Sequence, residues 1–168
     1  AGPYRLQAIS TPGHTPGQMC FSILGTGAMI LADHVLFDIT PNITDWEALP
    51  DALGSYLESL DVIDKYEVTI PLPGHRQPGD FHGRIRALKE HHKRRLEECR
   101  QVIESLGRAR LYDIAGNMTW KIRAAGWDDF PPAQRWFALG ECLSHIDYLK
   151  KRKLIEEKEE GGQIWYEA

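Results

Sequence analysis

The chain has 168 residues, of which 42 % are apolar and 26 % charged, with a formal net charge of −4. That balance describes folded globular material and excludes a disordered, a collagen-like or a broadly nucleic-acid-attracting chain. No apolar run approaches the ~20 residues of a membrane helix, no secretory leader is visible, and three widely spaced cysteines (Cys20, Cys99, Cys142) form neither a disulfide framework nor a cysteine-rich zinc site. A reducing, cytoplasmic setting is expected.

Residues 4–9 alternate apolar and polar, which predicts a half-buried strand stopped by Ser10-Thr11-Pro12-Gly13. After the punctuated stretch His14-Thr15-Pro16-Gly17, residues 19–24 and 28–32 predict two strands of a hairpin turned at Gly25-Thr26-Gly27. Between Asp45 and Leu60 the residues Trp46, Leu49, Leu53, Tyr56, Leu57 and Leu60 form a helical stripe, with Pro50 near its start. Residues 68–72 predict a short strand ending at Pro73-Gly74-His75.

His14, Asp33 and His75 thus share one description. Each lies past a predicted strand end, the two histidines beside Gly/Pro turns, where a rigid backbone can hold a ligand at a fixed angle. Histidine nitrogen and aspartate oxygen are standard zinc ligands, and a carboxylate can bridge two metals. Taken singly, a loop histidine is ordinarily a solvated residue and an aspartate after a strand a turn former. The case rests on three together, in order, each with its flanking sequence.

Those flanks, STPGHTPGQ, ILAD and LPGH, resemble the metallo-β-lactamase superfamily across residues 4–78. The resemblance implies the C-terminal half of an αββα sandwich and one or two zinc ions, with iron or manganese as alternatives. It implies that His14 binds the first metal, Asp33 bridges both and His75 binds the second. Ala32 replaces the glycine usual before the bridging aspartate. The family's main signature, HxHxDH, is missing from this chain. It normally stands upstream, in a half that supplies the remaining ligands and the expected general base. Half a sandwich leaves an apolar sheet face uncovered, so the missing half or self-association is the expected partner.

The remainder is expected to be mostly helix. Residues 81–106 lack proline, carry Ile85, Leu88, His92, Leu96, Cys99, Val102, Ile103 and Leu106 at helical steps, and end at a capping Gly107. Their other face carries Arg84, Arg86, Lys89, Lys93, Arg94 and Arg95, offset by Glu90, Glu97 and Glu98, which reads as a solvated face rather than an anion-attracting strip. Short helices are expected at 111–120 and 120–127, then a helix opened by Pro131-Pro132. Residues 153–156 and 163–166 flank Gly161-Gly162 as a hairpin. Three helices and a two-stranded wing are the order of a winged helix, and the segment 138–149 resembles the last helix of the β-lactamase-like 2 branch. The expected division is 1–78, a connecting helix at 79–107, and a winged-helix-like domain at 108–168. From Arg108 onward ten basic residues balance ten acidic ones, and the wing is acidic, which argues against nucleic acid.

The expected fold class is therefore α+β, and the expected function is the C-terminal portion of a hydrolase. In it a zinc-bound hydroxide attacks an ester, thioester, lactone or phosphodiester of a small molecule. The chain alone is expected to be inactive or nearly so. His34 and residues 38–42 are candidate pocket linings; His82, His145 and the cysteines read as structural. The alternative is a metal-free winged-helix interaction or regulatory module on a degenerate β-scaffold.

Overall fold

Side-chain alternation with a period of two builds the first sheet. The computed structural model of the chain describes residues 2–168. Strands β1 (Leu6–Ser10), β2 (Met19–Ile23), β3 (Ala28–Ala32) and β4 (Ile70–Pro73) lie in the order β1-β2-β3-β4. The first three are antiparallel neighbours, and β4 runs parallel to β3. A parallel pair needs a crossover, and helix α1 (Ala52–Ile63) supplies it. Helix α2 (Phe81–Leu106) follows.

The two sheet faces differ in what covers them. Ile9, Cys20, Met29 and Leu31 point to one face and are buried, forming a core with Leu53, Tyr56 and Leu60 of α1 and with Ile85 and Leu88 of α2. On the other face the register lines up two apolar rows across all four strands, Ala8–Phe21–Ile30–Leu72 and Leu6–Ile23–Ala28–Ile70. Leu6, Ile30, Ile70 and Leu72 of those rows are exposed.

Helix α1 begins later than the sequence stripe suggests. Residues 45–51 are not helical; they hold a turn closed by Leu49 N donating to Trp46 O, at 2.9 Å. Pro50 disfavours helical backbone at the residue before it. Asp51 then caps the helix, accepting from Gly54 N at 3.0 Å. At the start of α2, Asp80 accepts from Gly83 N in the same way. Gly107, at φ +71°, closes the far end with its N–H on the Ile103 carbonyl.

The chain divides into two compact units, one ending at His92 and one running from Lys93 to Ala168. The second holds the end of α2, helices α3 (Leu111–Asn117) and α4 (Pro132–Lys151), and the hairpin β5 (Glu156–Glu160) and β6 (Gln163–Glu167). Its core centres on Cys99, Ile103, Ile114, Cys142, Ile146 and Tyr166. Ala109 pairs with Tyr166, adding a one-residue third strand beside β6. The expected helix at 120–127 is absent. Trp120 instead folds back, its indole N–H donating to the Ala115 carbonyl at 2.8 Å, and a short 3-10 turn forms at Trp127–Asp129. The hairpin is also shifted toward its turn, so β5 is the acidic run 156–160 rather than 153–156. Gly161 and Gly162 both have positive φ, the requirement of a two-residue type I′ turn.

The basic residues of α2 are not one solvated face. Arg95 is buried, bonding Glu98, Glu141 and the Thr119 carbonyl beneath Trp120. Arg84 is half-buried against backbone carbonyls of the first unit. Among the described residues no helix is long and apolar enough to cross a membrane.

Candidate metal centre

The ends of β1, β3 and β4 meet at one edge of the first unit, and each delivers one of the three singled-out side chains. Asp33 lies between the two histidines. His14 Nε2 is 3.8 Å from Asp33 Oδ2, and His75 Nε2 is 3.2 Å from Asp33 Oδ1. Each carboxylate oxygen therefore faces a different imidazole.

The local backbone explains how they come so close. Gly13, at φ +145°, sits against Tyr56, where a Cβ would lie 2.4 Å from the tyrosine Cβ. That contact lets the turn before His14 dock on α1, where Ser59 Oγ also donates to the Pro12 carbonyl. Gly74 packs against Asp33, and a Cβ there would lie 2.6 Å from Oδ1. Gly74 N donates to the Ala32 carbonyl at 2.7 Å, tying the turn before His75 to the residue before Asp33. Ala32 itself is left-handed, at φ +45°.

His14 is oriented by its second nitrogen, whose partner is the Asn42 carbonyl at 2.8 Å. A carbonyl only accepts, so Nδ1 carries the proton, and in the neutral ring Nε2 is left with its lone pair free on the Asp33 side. Trp46 adds a bond from its indole N–H to the His14 carbonyl, at 3.2 Å. His75 is 62 % exposed, against 28 % for His14 and 32 % for Asp33. One histidine is thus embedded and the other stands at the surface.

Two bonds of about 2.1 Å at one ion allow its donors to lie up to about 4.2 Å apart, and both histidine–aspartate separations fall inside that reach. The donor chemistry, neutral imidazole with carboxylate, also suits zinc, iron or manganese. Among the described residues no group of three or more His, Cys, Asp or Glu side chains could hold a metal ion. The geometry accounts for this: the three donors form two pairs on opposite oxygens of one carboxylate, and each pair lacks further ligands.

His34 does not line an open pocket in this chain. Its side chain is wholly buried, edge-on to Tyr56 at 5.1 Å between centroids, and neither ring nitrogen makes a hydrogen bond of ordinary geometry. Burial pushes its pKa down to about 4, opposed by the Ser59 backbone and aided by His14, which keeps the ring neutral at pH 7. Its carbonyl accepts from Tyr56 Oη at 2.9 Å, so the residue anchors the segment after Asp33 rather than opening it. Of residues 38–42, positions 38–40 are exposed, Pro41 is buried, and Asn42 contributes through its backbone.

His82 pairs with Asp64 at 2.7 Å, and His145 Nδ1 donates to the Glu141 carbonyl at 2.7 Å. All three cysteines are buried, and burial raises Cys20 to about 11. Sequence reasoning missed the Asn42 carbonyl beside His14 and the two bonds by which Arg84 holds the Leu36 and Ile39 carbonyls. The carbonyl is backbone and has no residue-type signal; Arg84 is, by sequence, one charge among many on a helix.

No family model matches the chain. Over 73 residues, 42 % of its length, it is 33 % identical to the lactamase-like protein nscB of Aspergillus fumigatus, of which that stretch is 19 %. Over 98 % of its length it matches the structure of a metallo-beta-lactamase family protein from Thermus thermophilus, with TM-score 0.80 and 25 % identity. Over 99 % it matches a beta-lactamase domain protein from Burkholderia ambifaria, with TM-score 0.86 and 27 % identity. It spans about half of both solved chains, 50 % and 49 %.

Proposed function

We propose that this chain, which shares the metallo-β-lactamase family fold and spans about half the length of its structural relatives, is the C-terminal portion of a metal-dependent hydrolase. One observation carries the reading: His14 and His75 converge on opposite oxygens of Asp33. His14, Asp33 and His75 are the residues that would hold one or two metal ions there, with Asp33 shared between the histidines. Zinc bound there would polarise the scissile bond and lower the pKa of water to about 7.

In this reading the chain's own residues orient and hold. The Asn42 carbonyl fixes the His14 tautomer, and the glycines at 13 and 74 permit the close approach of the three donors. Two donors per ion are too few for tight binding, so the chain alone binds metal weakly and turns over little. The remaining ligands and the general base come from the other half of the fold, whose sheet covers the exposed face of β1–β4. The bond cleaved is an ester, thioester, lactone or phosphodiester. The second unit is read as a winged helix, supported by the order of α2, Ala109, α3, α4 and the β5–β6 hairpin. Its acidic β5 suits protein packing rather than phosphate.

The test is metal analysis of the protein purified from its natural source, with intact mass, beside the variants His14→Ala, Asp33→Asn and His75→Ala. A mass well above 19.1 kDa, bound zinc, iron or manganese, and its loss in Asp33→Asn are expected. Metal content unchanged in all three variants would replace this reading with the metal-free interaction module.

A further inference from the structure

The segment from Asp33 to the start of α1 has almost no regular structure across residues 33–51. Irregular stretches longer than about 12–15 residues inside a compact unit are uncommon and usually functional. This one begins with a candidate metal donor and carries, at Asn42, the carbonyl that orients another. Something must hold it in place, and helical or sheet hydrogen bonds do not.

Arg84, one turn into α2, reaches the segment twice. Its Nε donates to the Leu36 carbonyl at 2.6 Å and its Nη2 to the Ile39 carbonyl at 2.8 Å. A guanidinium presents these donors as a rigid fork, which a lysine cannot reproduce. Ile39 stands three residues before Asn42, and the buried Pro41 fixes one of the intervening φ angles. Pinning Leu36 and Ile39 therefore leaves the Asn42 carbonyl little freedom to leave His14.

We infer that Arg84 is a positioning residue for the candidate metal centre: by clamping the 36–39 backbone it holds the Asn42 carbonyl on His14 Nδ1, and so keeps His14 Nε2 free to face Asp33. The inference rests on the reading of His14 as a metal donor. It assigns Arg84 no contact with substrate or ion. Loss of outer-shell partners of metal-binding histidines typically weakens metal affinity about 10- to 100-fold.

The experiment uses the 168-residue chain, labelled with 15N, as wild type and as Arg84→Ala, Arg84→Gln and Arg84→Lys, with circular dichroism confirming which variants fold. Long-range 1H–15N correlation of the His14 ring is recorded without metal, in mildly alkaline buffer, and Zn2+ and Co2+ affinities follow by titration. Wild type is expected to show the Nδ1–H tautomer. Folded variants are expected to show mixed tautomers and at least a roughly tenfold weaker affinity, with the lysine variant between alanine and wild type. A folded variant with an unchanged His14 tautomer, or with shifted tautomers at wild-type affinity, overturns the inference. The hydrolase reading is tested separately, by the metal content of the protein from its natural source; where the isolated chain binds metal too weakly to titrate, the His14 tautomer alone decides on Arg84. Should Arg84→Ala fail to fold, the glutamine and lysine variants carry the test.

Discussion

Ala32 occupies a backbone conformation that its side chain disfavours. At φ +45° its Cβ crowds the following carbonyl, a cost of roughly 1–2 kcal/mol for an ordinary residue and almost nothing for glycine. This residue stands directly before Asp33, and its carbonyl accepts from Gly74 N, at the turn before His75. Ala32→Gly is therefore expected to stabilise the first unit by about 1 kcal/mol, less the extra freedom glycine gives the unfolded chain. Urea unfolding read by circular dichroism checks this. That His14, Asp33 and His75 belong together was legible in the sequence because each follows a predicted strand, the histidines beside Gly/Pro turns and the aspartate directly after its strand. Their supports were not: a backbone carbonyl at Asn42 has no residue-type signature, and His34 could not be read as buried before the position of Tyr56 was known.

Elements were legible where local chemistry decides. Strand β3 and helix α2 fall at the residues their patterns predict, and Gly161-Gly162 makes the turn its φ freedom allows. Boundaries failed where one residue outvoted a periodic stripe. Trp46 and Leu49 match a helical face, yet Pro50 and the Asp51 cap move the start of α1 to Ala52. Residues 120–127 fail for another reason: the Trp120 indole takes the Ala115 carbonyl at the end of α3 as its partner instead of continuing a helix. Asp51 makes its cap from a left-handed backbone, at φ 63°. Asp51→Ala is expected to cost about 1–2 kcal/mol through the lost bond to Gly54 N. Asp51→Asn, which keeps the acceptor and tolerates that backbone, is expected to be near neutral; thermal melts of the two variants separate these outcomes.

At the scale of the whole molecule the uncovered sheet face dominates. Its two rows of four apolar residues span every strand, and exposed apolar patches of this kind mark surfaces that associate. The chain on its own is expected to self-associate with rising concentration in sedimentation velocity. The double variant Ile30→Lys, Leu72→Lys places charges in one row and is expected to shift the population to monomer while leaving the helical signal intact. The opposite face is already filled by α1 and α2, so charge there would instead break the core.

Asp33 and His75 end the two strands of the one parallel pair, and α1 lies between them in sequence. Such a pair cannot zip from a hairpin. The intervening chain must first fold into its crossover and dock, and contacts between residues distant in sequence form slowly. Local helix and the β2–β3 hairpin are thus expected to form before these two side chains meet. A metal ion held by these residues, as proposed, would find no binding geometry until the crossover had closed. It would act as a latch on a finished shape rather than as a seed for it, and its binding energy would add to the stability of the folded state alone.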